Sequence, residues 1–432
     1  MGTEITLEVG GLTIDWSKNR RGRDHGMLFQ EKDRQRIPSD QVNYESFAEH
    51  TEDPSPTEIG FRRPLRQVLP RVELLGFTLD RVREEYDGCV EAWRESNSEA
   101  ESNQDLPPLS FAEFLTFATA YPVKLLDDTY TEDDAQIQAR FVEDRMSERI
   151  PHHWDHDMLS YSERSYFGRL INILSPYSML RLLSENKVNL DADVVWQYGP
   201  LVEAGWANAD EFVSGARRTQ TFLIATEGSS DAHILKHAFS LLKPEISDFF
   251  RFIDVSERHP FPGTGNLIKF AEGLAKIDAH NQIVFLFDND AEGLYAYQRV
   301  HELHLPRNMR AMMLPELEQF RAFPAFGPDG ATVADINRRA AAIECYLDLA
   351  TDDSTSARII WVHYKKELDV YQGSLDRKES YTKEFLRQTQ ETITSGSYDA
   401  SKLLHALEML YAECRLIPEE ALRSVTWPPT GW

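Results

Sequence analysis

Two short apolar runs, each stopped by acid and glycine, constrain this chain more than any other feature. One is Thr221-Phe-Leu-Ile-Ala-Thr-Glu-Gly228; the other is Ile283-Val-Phe-Leu-Phe-Asp-Asn-Asp-Ala-Glu-Gly293. β-branched and aromatic runs of that length, bounded in that way, read as parallel strands buried on both faces. Between them lie helical patterns over 231–242 and 266–276 and a further strand over 249–255. The order strand–helix–strand–helix–strand predicts an open α/β sheet, in which functional groups gather at the carboxyl ends of strands where strand order reverses. If the first and third strands are neighbours, Glu227, Asp288 and Asp290 converge on one crevice.

Like charges a few ångströms apart repel unless a proton or a cation lies between them. A hard divalent cation resolves the conflict: Mg²⁺ takes one or two protein carboxylates and fills its shell with waters and phosphate oxygens. Mg²⁺ or Mn²⁺, as one or two ions, is therefore the expected cofactor. Gly228 and Gly293, each just past an acid, allow backbone to approach a phosphate.

At these residues the chain resembles the Toprim domain shared by topoisomerases, bacterial primases and several nuclease families, whose pattern is Glu-Gly after the first strand and Asp-x-Asp after the third. Further stretches resemble the HEPN/Toprim-associated family of bacterial proteins. These are Phe261-Pro-Gly-Thr-Gly-Asn266, Asp288-Asn-Asp-Ala-Glu-Gly293, Ala342-Ile-Glu-Cys-Tyr-Leu347, Tyr371-Gln-Gly373 and the opening Leu7-Glu-Val-Gly-Gly-Leu-Thr-Ile-Asp-Trp16. The likeness spans the whole chain and is closest over about 220–380. It implies metal-dependent hydrolysis of DNA or RNA, with Glu227, Asp288 and Asp290 catalytic and Glu292 and Glu344 as further metal ligands. Glu344 enters because Toprim nucleases of the overcoming-lysogenization-defect type hold a second metal with a downstream acid that Ile343-Glu344 resembles. It also implies a bacterial anti-phage effector, acting with a defence partner protein or as a homo-oligomer.

Composition narrows the alternatives. The three cysteines are far apart and lack Cys-x-x-Cys spacing, so neither a zinc module nor a disulfide framework is indicated. No apolar run approaches a membrane span and the first residues are not a signal peptide, so a cytoplasmic location is expected. Neither a Walker-type phosphate loop nor a nicotinamide fingerprint occurs. The net charge of −25 conflicts with a broad basic footprint on nucleic acid. Any phosphate contact must then be local. Arg62, Arg63, Arg66 and Arg71 form the best basic stretch, either facing nucleic acid or pairing with acids elsewhere in the fold. Gly228, Gly263, Gly265, Lys269, Lys378 and Lys383 are the remaining candidate phosphate contacts; the two glycines of Pro262-Gly-Thr-Gly265 lead into a helix whose N–H groups favour anions.

Elsewhere, Gly10-Gly11 between alternating apolar residues predicts a β-hairpin. Residues 17–60 read as polar loop. Helical periodicity follows over 64–93, interrupted by Pro70, and again over 110–125, 133–150 and 160–186. Ser110 and Glu113 have the spacing of a capping box. Residues 357–370, 376–393 and 400–415 also read as helices. The expected architecture is thus a mainly helical domain with a small hairpin over 1–216, a four-stranded, mainly parallel α/β Toprim domain over 217–350, and a helical extension over 351–432. Active HEPN domains cut RNA with an Arg and a His that have four to six residues between them; Arg145 with His152 and Arg358 with His363 have that spacing, though Pro151 interrupts the first pair. His152, His153 and His156 are either a metal cluster or scattered surface histidines.

Overall fold

The computed structural model describes residues 3–38, 44–51, 53–98, 106–141, 145–151, 160–253, 264–277, 279–328, 330–350 and 356–423. Two compact units emerge: Met1–Ala216 with Leu422–Trp432, and Arg217–Ala421.

In the first unit, Gly10 and Gly11 both take positive φ and close the hairpin of β1 (Glu4–Val9) and β2 (Leu12–Lys18). That hairpin is only part of a five-stranded antiparallel sheet, ordered β2-β1-β5-β4-β3. The additional strands are β3 (Arg34–Arg36), β4 (Ile59–Pro64) and β5 (Asp193–Gln197). The expectation of a lone hairpin is corrected here. β4 escaped a period-two reading because Phe61 and Arg63 are its inward pair, and an inward arginine does not look like a strand interior. Helices Leu65–Leu74, Leu79–Ser98, Phe111–Thr119, Glu163–Ile171 and Pro176–Leu183 share one core with the sheet, including Leu7, Phe61, Val68, Phe114, Phe167 and Trp196. The first helix runs through Pro70 without dividing. The capping box forms, with the Glu113 N–H donating to Ser110 Oγ at 3.3 Å. Pro176 begins a new helix, splitting the expected 160–186 element. Of 133–150, only Asp134–Gln138 and Met146–Arg149 are α-helical among the described residues.

The second unit is built on a parallel sheet ordered β7-β6-β8-β10, made of β6 (Phe222–Ala225), β7 (Phe250–Phe252), β8 (Gln282–Phe287) and β10 (Met309–Met313). Every residue of β8 after Gln282 is buried, as a strand covered on both faces requires. Helices Ser229–Leu242, Thr264–Lys276 and Ala291–His301 accompany it. Two-residue strands β9 (Asn289–Asp290) and β13 (Ala340–Ala341) pair beside the strand end. A second sheet is ordered β12-β11-β14-β15, from β11 (Phe323–Gly327), β12 (Gly330–Ala334), β14 (Ile359–Lys365) and β15 (Val370–Leu375).

That second sheet corrects the helix expected over 357–370. Ile359-Ile-Trp-Val-His-Tyr-Lys365 is β-branched and aromatic, and pairs antiparallel with β15 through an irregularity between Trp361 and His363. Helices Lys378–Phe385, Gln390–Thr394 and Ser401–Arg423 follow. Residues 351–421 belong to the same compact unit as the parallel sheet. No helix among the described residues is long and apolar enough to cross a membrane.

Candidate functional site

β6 and β8 are direct neighbours, with Ala225 paired to Phe285. The chain leaves β6 for β7 on one side and returns to β8 on the other, so their shared carboxyl end is a strand-order switch point. Glu227 Oε1 accepts the Asp288 backbone N–H at 3.2 Å. Asp288 Oδ1 accepts the N–H of Ile343 at 3.0 Å. Asp290 caps the helix Ala291–His301: its Oδ1 accepts the Gly293 N–H at 2.7 Å, and its Oδ2 accepts Gln372 Nε2 at 2.6 Å. Gly293 has a steric reason to be glycine, because a Cβ there would lie 2.2 Å from the Asp288 carbonyl oxygen.

Between the two aspartates, Asn289 is buried and serves the fold. Its Nδ2 reaches Asn337 Oδ1 at 3.1 Å and Tyr346 Oη at 3.2 Å, and its Oδ1 accepts the Arg338 N–H at 2.7 Å. The middle residue therefore anchors the strand end, while its neighbours Asp288 and Asp290 turn to donors on other segments.

The crevice holds an acid that sequence reasoning missed. Asp231, in the first turn of helix Ser229–Leu242, is buried and accepts the Gly228 N–H at 2.9 Å. Burial, and then the charge of Glu344, push its carboxyl up to about 6. The signal was Glu227-Gly-Ser-Ser-Asp231, in which an acid at a helix start reads as an ordinary cap. Glu344 lies in a 3₁₀ turn, Ile343–Tyr346, where a helix was expected; its buried side chain is 3.5 Å from Lys378 Nζ. Glu292 pairs with Lys365 and lies 3.5 Å from His363 Nε2.

Asp231 and Asp290 are buried, whereas Glu227 and Asp288 keep part of their surface open to solvent. All four carboxyls lie above their ordinary range. For Glu227 and Asp288, burial is the first cause and neighbouring acids are the next: Asp290 and Asp231 for Glu227, Asp231 and Glu227 for Asp288. Burial also raises Asp290, against the opposing hydrogen bonds from Gly293 and Gln372. These acids interact through space, yet among the described residues no three His, Cys, Asp or Glu donors are gathered into an ion cage. Each carboxylate is turned to a donor of its own.

The other sequence candidates are dispersed. Gly228 precedes helix Ser229–Leu242; Gly265 and Lys269 are exposed on helix Thr264–Lys276, and Lys383 is exposed on Lys378–Phe385. Gly263, His152, His153 and His156 lie outside the described residues. Arg63 is buried, 3.4 Å from Asp33 Oδ2, and donates to Gln30 at 2.9 Å. Arg71 is buried and donates to the carbonyls of Met27 and Phe29 at 2.8 and 3.2 Å. Both serve the interior, so neither can meet a phosphate at the surface. Arg62 is half-buried, and Arg66 is exposed beside Asp191. Arg145 pairs with Glu148, and Arg358 donates to Asp376 at 3.0 Å.

Residues 1–220 match the family model described as HEPN/Toprim N-terminal domain 1. The match falls on the part of the chain where the sequence resemblance reads as looser. No curated protein and no solved structure matches the chain.

Proposed function

Because this chain belongs to the family of the HEPN/Toprim N-terminal domain 1, we propose that it is a metal-dependent nuclease, hydrolysing phosphodiester bonds of DNA or RNA in a Toprim-type second unit. The family's name itself points to a nuclease-associated role. One observation carries the finer reading: Glu227, Asp231, Asp288 and Asp290 gather at the end of two adjacent strands with carboxyls raised by burial, and further by acids of the set for Glu227 and Asp288, by Glu344 for Asp231 and by Glu292 for Asp290. Such a cluster needs protons or a cation to be stable.

The residues fit a hard divalent ion by donor chemistry, since Mg²⁺ requires only one or two carboxylates beside water and phosphate oxygens. Asp288 and Asp290 would hold it, and Glu227 would either join them or stand as the base; Glu292, Glu344 or the newly placed Asp231 would serve a second position beside water and phosphate oxygens. Bound Mg²⁺ or Mn²⁺ supplies Lewis-acid polarisation of the scissile phosphate and charge for the leaving oxygen. Glu227, with its partly open surface, is suited to take a proton from the attacking water once a bound cation holds the carboxyl ionised. Lys378, beside Glu344, offers positive charge to a phosphate oxygen. Gly228, Gly265, Lys269, Lys383, Arg62 and Arg66 are left for outer contacts with the nucleic acid. In this reading the protein is a cytoplasmic anti-phage effector working as a homo-oligomer or with a partner protein.

The test is cleavage of single- and double-stranded DNA and of tRNA with Mg²⁺, Mn²⁺ or EDTA. Cutting with either metal, lost in EDTA, is expected. RNA cutting that persists in EDTA would replace this reading with a HEPN-type ribonuclease. Metal binding without any cutting would leave a non-catalytic interaction module.

A further inference from the structure

Gln372 is neutral, buried and absent from the chemistry above, yet it touches the acidic site at three points. Its Nε2 donates to Asp290 Oδ2 at 2.6 Å, and its Oε1 accepts the N–H groups of Ala291 at 2.8 Å and Glu292 at 3.2 Å. Both ends of the amide are thus specified. A flipped amide would set oxygen against carboxylate and N–H against N–H, so only one orientation satisfies the neighbours. The other oxygen of Asp290 is held by the Gly293 N–H at 2.7 Å, which leaves the carboxylate plane little freedom.

The hairpin β14–β15 supplies more than this one contact. Gln372 is cross-strand partner to His363, and Lys365 lies two residues further on the same strand face. Lys365 and His363 both approach Glu292. One face of one hairpin therefore seats two acids, Asp290 and Glu292, which belong to a different part of the chain.

We infer that Gln372 is a positioning residue: it sets the Asp290 carboxylate in the orientation that binds the divalent ion, by tying it to the first turn of helix Ala291–His301. The inference rests on the metal-dependent reading of the site. Donors one step behind a ligand fix its orientation, and their loss typically costs about 10–100-fold in metal affinity. Gln372 does this without adding charge to a crevice already crowded with it.

The test is Mn²⁺ affinity of the full-length protein, by electron paramagnetic resonance and calorimetry, alongside the thermal midpoint. Gln372→Met keeps approximate volume and removes both hydrogen-bonding ends; it should weaken Mn²⁺ binding about 10–100-fold. In an Asp290→Asn background the same change should cost little more, because the oriented charge is already gone. A purely structural glutamine would lower the thermal midpoint in both backgrounds and leave Mn²⁺ affinity unchanged. Wild-type affinity in Gln372→Met, with affinity lost in Asp290→Asn, would overturn the positioning role and leave the metal site standing. No Mn²⁺ binding by the wild-type protein would remove the metal reading, and this inference with it. Should Gln372→Met fail to fold, Gln372→Asn, too short to span both partners, is measured in its place against the same outcomes.

Discussion

In the amino-terminal unit, buried Arg63 lies against Asp33, Arg71 against two backbone carbonyls, and His25 Nε2 is 3.1 Å from Asp15. In the second unit, Glu227, Asp231, Asp288 and Asp290 have one another for neighbours. Burial alone does not separate the two cases. Glu85 in the first unit is also raised by burial, but serine donors at Ser175 and Ser178 and the charge of Arg81 oppose the rise. What differs is the sign of the neighbours. Desolvating a charge is tolerable when a partner or hydrogen bonds replace the water. Where buried acids repel one another, the fold stores a demand for protons or cations, and that is the mark of a site.

The sharpest way to break this contrast is Asp288→Asn, which removes charge from the crevice and keeps shape. Divalent-dependent cleavage should fall on the order of a thousandfold, the loss of several kcal/mol of transition-state stabilisation. The metal-free protein should remain folded, as circular dichroism would show. A wild-type cleavage rate would mean that the chemistry lies elsewhere. In the other unit, Arg63→Ala leaves Asp33 buried without its cation and should cost about 3 kcal/mol in urea denaturation. A cost no greater than that of Arg66→Ala would erase the distinction between the units.

The pH dependence of stability sharpens the comparison next. Asp231, ordinarily at 3.8 and pushed up to about 6, binds its proton more tightly in the folded chain. Folding then takes up a proton between those values, so this contribution is full below 3.8 and is lost as pH rises through about 6. Glu227, Asp288 and Asp290 shift the same way. Relative to Asp231→Asn, the wild-type thermal midpoint in EDTA should therefore fall with rising pH across this window, and Mg²⁺ should flatten that relative decline. An equal decline in both proteins would tie it to other acids, such as Glu85. The smallest effect is expected at the surface: Arg66→Ala should change stability by about 0–1 kcal/mol. Reversing Arg62 and Arg66 to Glu should weaken nucleic-acid binding and flatten its salt dependence. An equal salt slope would assign both arginines to the protein's own acids, as Arg66 beside Asp191 suggests.

The parallel sheet and its acids were legible because β8 is covered on both faces and its apolar run ends abruptly at Asp288. The strand–helix alternation left open whether β6 and β8 are neighbours; the pairing of Ala225 with Phe285 joins them. The amino-terminal sheet was harder to read, since β4 turns Arg63 inward and β3, Arg34–Arg36, has no apolar residue. Asp231 was hidden by looking like a cap, and Gln372, although within the resembling stretch Tyr371-Gln-Gly373, has no charge to mark its role. Their roles depend on long-range register: Gln372 reaches Asp290 across 82 positions of chain. No local pattern encodes such a meeting.

The cysteines, set aside earlier for lacking ligand spacing, acquire a different use from their burial. Cys89 lies in the first unit, and Cys345 and Cys414 in the second, all shielded from solvent. Burial holds the thiols of Cys345 and Cys414 in their unreactive protonated form. Cys345 directly follows Glu344, in the same 3₁₀ turn. A thiol reagent can reach it only when that turn opens, so its alkylation rate times the breathing of the backbone that seats Glu344. Cys89 keeps separate time for the amino-terminal unit, and Cys414 for the helix Ser401–Arg423.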